Sequence, residues 1–233
     1  RTVEGHHAKL PMVVLAPEKT SERTVIWTDD KGKTGLYAND GSVKSPIRNL
    51  LDAGVTVIGV DLLHQGEFLA DEQPPERQRW LPNEEGYAGW TYCYNLPVFA
   101  RRVHDILAVI AYVKGAEVDV VGLDNSGHLV AAAAAQARGT VARAAIDTVG
   151  FRFASLDDVY DVDFMPGAAK YNDLPGLLAL AAPTRLWLAG EGKEAPSVVK
   201  TAFAAAGKSA NLTNFSGASG DTAKNAVEWL LRK

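Results

Sequence analysis

Seven short apolar runs separated by helical patterns constrain this chain more than any other feature. They are Pro11–Leu15, Thr24–Thr28, Val55–Asp61, Val118–Leu123, Val141–Thr148, Thr184–Ala189 and Ala210–Phe215. Most are β-branched and apolar throughout rather than alternating, as expected of strands covered on both faces. Between them, Phe99, Val103, Ile106, Ile110 and Val113 recur at three- and four-residue spacing, so Pro97–Lys114 reads as an amphipathic helix ended by Gly115. Gly127–Arg138 holds five consecutive alanines, Ala131 to Ala135, small enough to let a helix lie close on a sheet. Ser45–Ala53, Ala195–Ala206 and Asp221–Leu231 complete the helices. Repeating βα units predict an α/β fold: an open, twisted, mostly parallel sheet with helices on both faces and right-handed crossovers.

At 233 residues the chain fits one such domain over 1–233. The net charge of −4 and the lack of a Lys/Arg cluster argue against a nucleic-acid partner. Cys93 is the single cysteine, so no disulfide or cysteine-based zinc site forms within the chain. No apolar run reaches the roughly 18 residues of a membrane span, and no membrane partner is expected. No Gly-x-Gly-x-x-Gly follows an early strand, so a nicotinamide enzyme is disfavoured and no cofactor or metal is expected. The start at Arg1, without Met or a targeting stretch, is expected of a mature, trimmed or excised segment, including a piece of a longer multidomain chain.

Two connections are long and aromatic. His64–Leu96 holds Trp80, Tyr87, Trp90, Tyr92 and Tyr94, and Gly150–Leu180 holds Phe151, Phe153, Tyr160, Phe164 and Tyr171. Loops of this length in a compact domain usually serve a site or a lid, although aromatics need burial whatever the function. The segment Trp80–Tyr94 is expected to fold over the carboxyl ends of the strands, where open α/β sheets bind ligands.

The most informative strand end is Val120-Val121-Gly122-Leu123-Asp124-Asn125-Ser126-Gly127-His128. A buried strand enters a tight turn and then an Ala-rich helix, the setting of the nucleophile elbow Gly-x-Ser-x-Gly. Gly122 and Gly127 supply the small flanking residues and Asp124 takes the nucleophile position. A phosphate-binding loop is rejected because His128 and Leu129, not Lys then Ser/Thr, follow the second glycine. Asp124 as a plain helix cap remains open beside the catalytic reading. Strand order and elbow together resemble the α/β-hydrolase superfamily over essentially the whole chain. The stretch Asp61–Gly66 and the aromatic insertion are similar to bacterial acetyl-xylan-esterase-like and dienelactone-hydrolase-like proteins.

The resemblance implies an α/β-hydrolase fold and action on carboxylic esters, with a small-molecule or acylated-saccharide ester as substrate and a secreted or periplasmic setting. The loop after Trp27, with Asp29 and Asp30, would give an oxyanion N–H, but lacks the usual His-Gly pair. Asn125, Trp90 and Tyr92 join Asp29 and Asp30 as substrate-binding candidates, and Asp124 and Ser126 are catalytic candidates at the elbow. The acid position after Leu188-Ala189-Gly190 falls on Lys193, leaving Glu191, Glu194 or Asp147 as substitutes, of which Glu191 enters the catalytic set.

The resemblance then breaks. The superfamily's histidine follows the last strand, where Phe215-Ser216-Gly217-Ala218-Ser219-Gly220-Asp221 holds none. The five histidines are His6, His7, His64, His104 and His128, of which His64 and His128 are the internal candidates for a replacement base. Two functions follow: an esterase with an unusual base, or a catalytically inactive domain that binds or braces, beside a neighbouring domain of the same polypeptide.

Overall fold

A computed structural model describes residues 9–69, 83–113, 117–137 and 139–232. Seven strands form one sheet: β1 Met12–Leu15, β2 Arg23–Thr28, β3 Thr56–Val60, β4 Glu117–Gly122, β5 Val141–Asp147, β6 Arg185–Ala189 and β7 Leu212–Asn214. Their order is β1-β3-β2-β4-β5-β6-β7, which puts β4 at the centre. Every pairing is parallel except β1 with β3. The antiparallel β1 is the one departure from the parallel pattern of the sequence. It is an edge strand, and Val14 is 51% exposed, so it escapes the two-sided cover that makes the inner strands uniformly apolar.

Alternate residues of the inner strands feed two cores. Ile26, Ile58, Val120, Ile146 and Leu188 join one cluster, packed with α3 Val98–Tyr112, α4 Gly127–Gln136, α5 Asp173–Leu180 and α6 Ser197–Ala205. Val25, Trp27, Val57, Val121 and Trp187 join the other, packed with α1 Ser45–Asp52 and α7 Thr222–Leu231. The period of two in a strand sends neighbours to opposite faces, so each run needs apolar residues throughout. Helix α4 is buried from Gly127 to Ala135, as its alanines require.

Two helices lie inside stretches that read as loops. Helix α2, Glu84–Tyr94, begins where Asn83 Oδ1 accepts the Gly86 N–H at 2.6 Å. Its Asn-Glu-Glu start is a legible helix signal, masked by two glycines and a run of aromatics. Helix α5 contains Pro175 and Gly176, which look like breakers. Pro175 lies in the first turn, where no intrahelical N–H is needed. Asp173 anchors that start to the preceding segment, accepting the Phe153 N–H at 2.8 Å and the Ala154 N–H at 2.9 Å.

Candidate functional site

The turn after the central strand is tightly constrained. Asp124 follows Gly122-Leu123, is solvent-exposed and has φ +53°, a conformation costly for a residue with a side chain. Two close approaches hold it. A Cβ on Gly122 would lie 2.5 Å from Val130 Cγ2, and one on Gly127 would lie 1.8 Å from the Asp147 carbonyl oxygen. The expected sharp strand-to-helix turn at the sheet centre is therefore present. Asn125 is exposed beside Asp124.

Ser126 has no room to act as a catalytic group. It is fully buried, and its hydroxyl lies 2.8 Å from both the Thr28 and the Leu123 carbonyl oxygens. It ties the elbow to the end of β2. Glycine usually stands here, and a small side chain whose one polar atom finds a backbone acceptor fills the same space.

Asp147, at the end of β5, is 8% exposed and accepts the Val149 N–H at 3.0 Å. Burial pushes its carboxyl pKa up, and the nearby charge of Asp124 pushes it further. A cleft of about 400 Å³ opens at the carboxyl ends of β5 and β6, lined among others by Asp147, Val149, Lys193, Phe215 and Ser219. Among the described residues its lining includes no histidine. Among the described residues no group of three or more His, Cys, Asp or Glu converges to hold a metal.

The other catalytic candidates lie in structural arrangements. Glu191 has a side chain only 2% exposed, clamped by both terminal nitrogens of Arg152 and by the Thr148 hydroxyl at 2.6 Å. Its oxygens are spoken for, so it does not present an acid to the cleft. His128 is 4% exposed, with Phe151 stacked on it at 4.3 Å and Phe99 at 5.9 Å. Its Nε2 lies 3.1 Å from Asp163 Oδ1, a close polar contact without the alignment of a good hydrogen bond. Burial works to raise the Asp163 pKa, but His128 and Arg102 beside it win and hold it below the usual carboxylate value. His64, half-buried at φ +63°, follows β3. Burial lowers its pKa, helped by Arg102 and Arg101. Its loop is pinned to α3, with Leu63 N–H donating to Asp105 at 3.0 Å and Arg102 Nε donating to the Leu63 carbonyl at 2.9 Å.

The substrate-binding candidates divide similarly. The Asp29 carboxyl turns back on its own loop, accepting the Lys31 N–H at 2.9 Å and packing on Gly35, where a Cβ would meet it at 2.1 Å. Burial, then contact with Asp30, pushes its pKa up to about 6. The Asp30 carbonyl is held by Gln65 Nε2 at 3.1 Å. Trp90 is 66% exposed, paired with Tyr94 at 5.6 Å. Tyr92 donates to the Val159 carbonyl at 2.5 Å and packs on Phe164 at 5.3 Å. Neither ring lines the cleft. The two insertions instead grip each other, and reach the start of α4 through Asp163 and Phe151 on His128. Trp80 lies outside the described residues.

Asp147 was legible only as one of three substitute acids. What singles it out, the close pass of Gly127 over its carbonyl, joins residues 20 positions apart.

The strand order, with its antiparallel edge and an elbow on the central strand, decides the architecture. The chain has the α/β-hydrolase fold. No protein-family model matches the sequence, and no curated protein matches it. Solved structures do match. The protein from Bacteroides fragilis NCTC 9343 assigned as an acetyl xylan esterase aligns at TM-score 0.63 and 14% identity, over 88% of this chain and 62% of its own. This chain thus spans less than two thirds of that protein. Est1E from Butyrivibrio proteoclasticus, solved with ferulic acid bound, aligns at TM-score 0.55 and 12% identity, over 95% of this chain and 94% of its own. A lipase-esterase related protein from Clostridium acetobutylicum ATCC 824 aligns at TM-score 0.55 and 14% identity, over 96% and 98%. At these identities the likeness carries the α/β-hydrolase architecture, not the chemistry.

Proposed function

We propose that this chain is a hydrolase-fold domain of carboxylesterase descent that has lost rapid ester turnover and keeps its cleft for binding, as one part of a larger polypeptide. The observation that supports the reading is the packing of the elbow on the end of β5: Gly127 closes on the Asp147 carbonyl, and the Asp147 carboxyl feels the charge of Asp124, so a second carboxyl stands near the nucleophile position. The loop that would supply the base runs Ser216 to Gly220 without one, and Lys193 stands at the acid position. The two candidate histidines are held elsewhere, His128 between aromatic rings and His64 on the α3 side.

The chemistry follows from that neighbourhood. Attack on an ester builds negative charge on the carbonyl oxygen, and catalysis depends on groups placed to receive it. Two carboxyl groups nearby oppose that charge. General base catalysis is itself worth roughly 10²–10⁴-fold, and removing triad members leaves only about 10³–10⁴-fold over water. A second reading, slow hydrolysis with Asp124 as nucleophile, is favoured by its exposed, strained position at φ +53°. The test is hydrolysis of a short aryl acetate by the parent chain and its Asp124→Ala and His64→Ala variants. Equal, near-background rates in all three are expected. Fast turnover in the parent, abolished by Asp124→Ala, would overturn the binding reading in favour of the second one.

A further inference from the structure

We propose that the cleft at the carboxyl ends of β5 and β6 binds a small organic ammonium ion, with the carboxylate of Asp147 as its counter-ion. The proposal rests on reading this cleft as a binding site rather than a site of ester cleavage.

Asp147 carries the inference. It is 92% buried, from its 8% exposure, and yet lines an open cleft of about 400 Å³. One carboxyl oxygen takes the Val149 N–H; the other has no hydrogen-bond partner among the described residues. That oxygen is not sealed from solvent, so a ligand in the cleft can reach it, and no described residue pairs a cation with it. Among the described residues lining the cleft Lys193 is the one basic side chain, and no ion pair joins it to Asp147 or Asp124 there. The charge of Asp124 lies close enough to disfavour the ionised form of Asp147. A cation seated against Asp147 would offset both the partial burial of its carboxylate and the repulsion between the two acids.

The rest of the cleft suits an organic body. Val149, Ala189 and Phe215 give apolar surface, while Ser216, Ser219 and Thr222 offer hydroxyl acceptors to ammonium protons. Phe215 is braced by stacking on Trp187 at 5.1 Å, so its ring offers a fixed face, and aromatic faces attract cations. The volume falls within the range of small-molecule sites, roughly 300–1,000 Å³. An anionic ligand would meet Asp147 and, beyond it, Asp124. The cleft has thus exchanged a hydrolase's preference for negative charge for the opposite one.

The experiment is a titration of the parent chain, by calorimetry and by amide shifts in nitrogen-15 NMR, with benzylammonium chloride, benzyl alcohol and benzyl acetate. Benzylammonium is expected to bind at least about tenfold more tightly than the alcohol, shifting amides of Val149, Gly190 and Phe215. Asp147→Asn should remove that preference. Lys193→Glu changes only an exposed side chain, so it should fold, and it should tighten benzylammonium binding by about two- to fivefold. Equal binding of the ammonium and the alcohol in the cleft would overturn the cation proposal and leave the binding reading standing. Rapid consumption of benzyl acetate would overturn the binding reading itself. Ammonium shifts that map away from the cleft, or no binding of any probe, would also overturn the proposal.

Discussion

The elbow after β4 and the turn after β7 sit at the same end of one sheet, yet they are built to opposite standards. The elbow is enclosed: Gly122 meets Val130, Gly127 meets the Asp147 carbonyl, and Ser126 is bonded into the end of β2. The β7 turn is open apart from Gly217, where a Cβ would meet the Phe215 ring at 2.4 Å. Residues 216–221 are exposed, and a Cβ on Gly220 would touch nothing within 4 Å. The difference separates two kinds of constraint. The elbow's shape follows from packing a helix against the central strand, so it persists whatever residue stands at Asp124. A base in the β7 turn has no packing duty, so nothing in the fold resists its replacement by Ser219 or Gly220.

The sharpest way to break this comparison is Gly127→Ala. The new Cβ would be forced against a strand-end carbonyl at 1.8 Å. A loss of at least about 3 kcal/mol is expected from urea denaturation, at the upper end of overpacking effects. A near-neutral result would mean that the elbow is not held by packing.

His128→Leu comes next, with an expected loss of about 2–3 kcal/mol. It leaves the half-buried Asp163 with Arg102 as its remaining described cation, at 3.8 Å, and removing one partner of a largely buried pair is destabilising. The ester rate, corrected for folded fraction, should not change. A selective loss of rate would return His128 to the catalytic set.

Asp147→Asn sharpens the comparison from the elbow's floor. Burial and Asp124 raise the Asp147 pKa in the folded chain. Between the ordinary carboxylate value of about 4 and that raised value, the folded state holds a proton the unfolded chain has released. Stability therefore falls as pH rises through the window. The variant should match the parent in acid and gain up to about 1 kcal/mol at neutral pH, an allowance discounted for partial solvent screening. A loss at neutral pH would show that the ionised carboxylate stabilises the turn.

The smallest effect belongs to the open turn. Gly220→Ala should change stability by no more than about 0.5 kcal/mol, as surface substitutions do. A loss comparable to that of Gly127→Ala would erase the distinction between the two turns.

The insertions show where reading the chain stopped short. Helix α2 was announced by Asn83 and two acidic residues, but Gly86, Gly89 and the aromatics around them spoke for a loop. Tyr92 looked like a pocket residue because aromatics line pockets. Its ring packs on Phe164 and its hydroxyl reaches Val159, 67 positions away. Such a pairing leaves no trace in local composition.

The sequence by itself determined the sheet of apolar runs, the Ala-rich helix behind the central strand, the turn at Asp124 and the absence of a histidine after the last strand. These are local properties: burial on two faces shows in each run, and a tight turn shows in its glycines. Only the tertiary structure decided which polar groups share a site. It turned Ser126, Glu191 and His128 into internal ties and brought the Asp147 carbonyl under the elbow at Gly127. The reason is that a polar side chain's role is set by its partners. Those partners come from strands and loops that meet only when the sheet is assembled, at separations no spacing rule in the chain encodes.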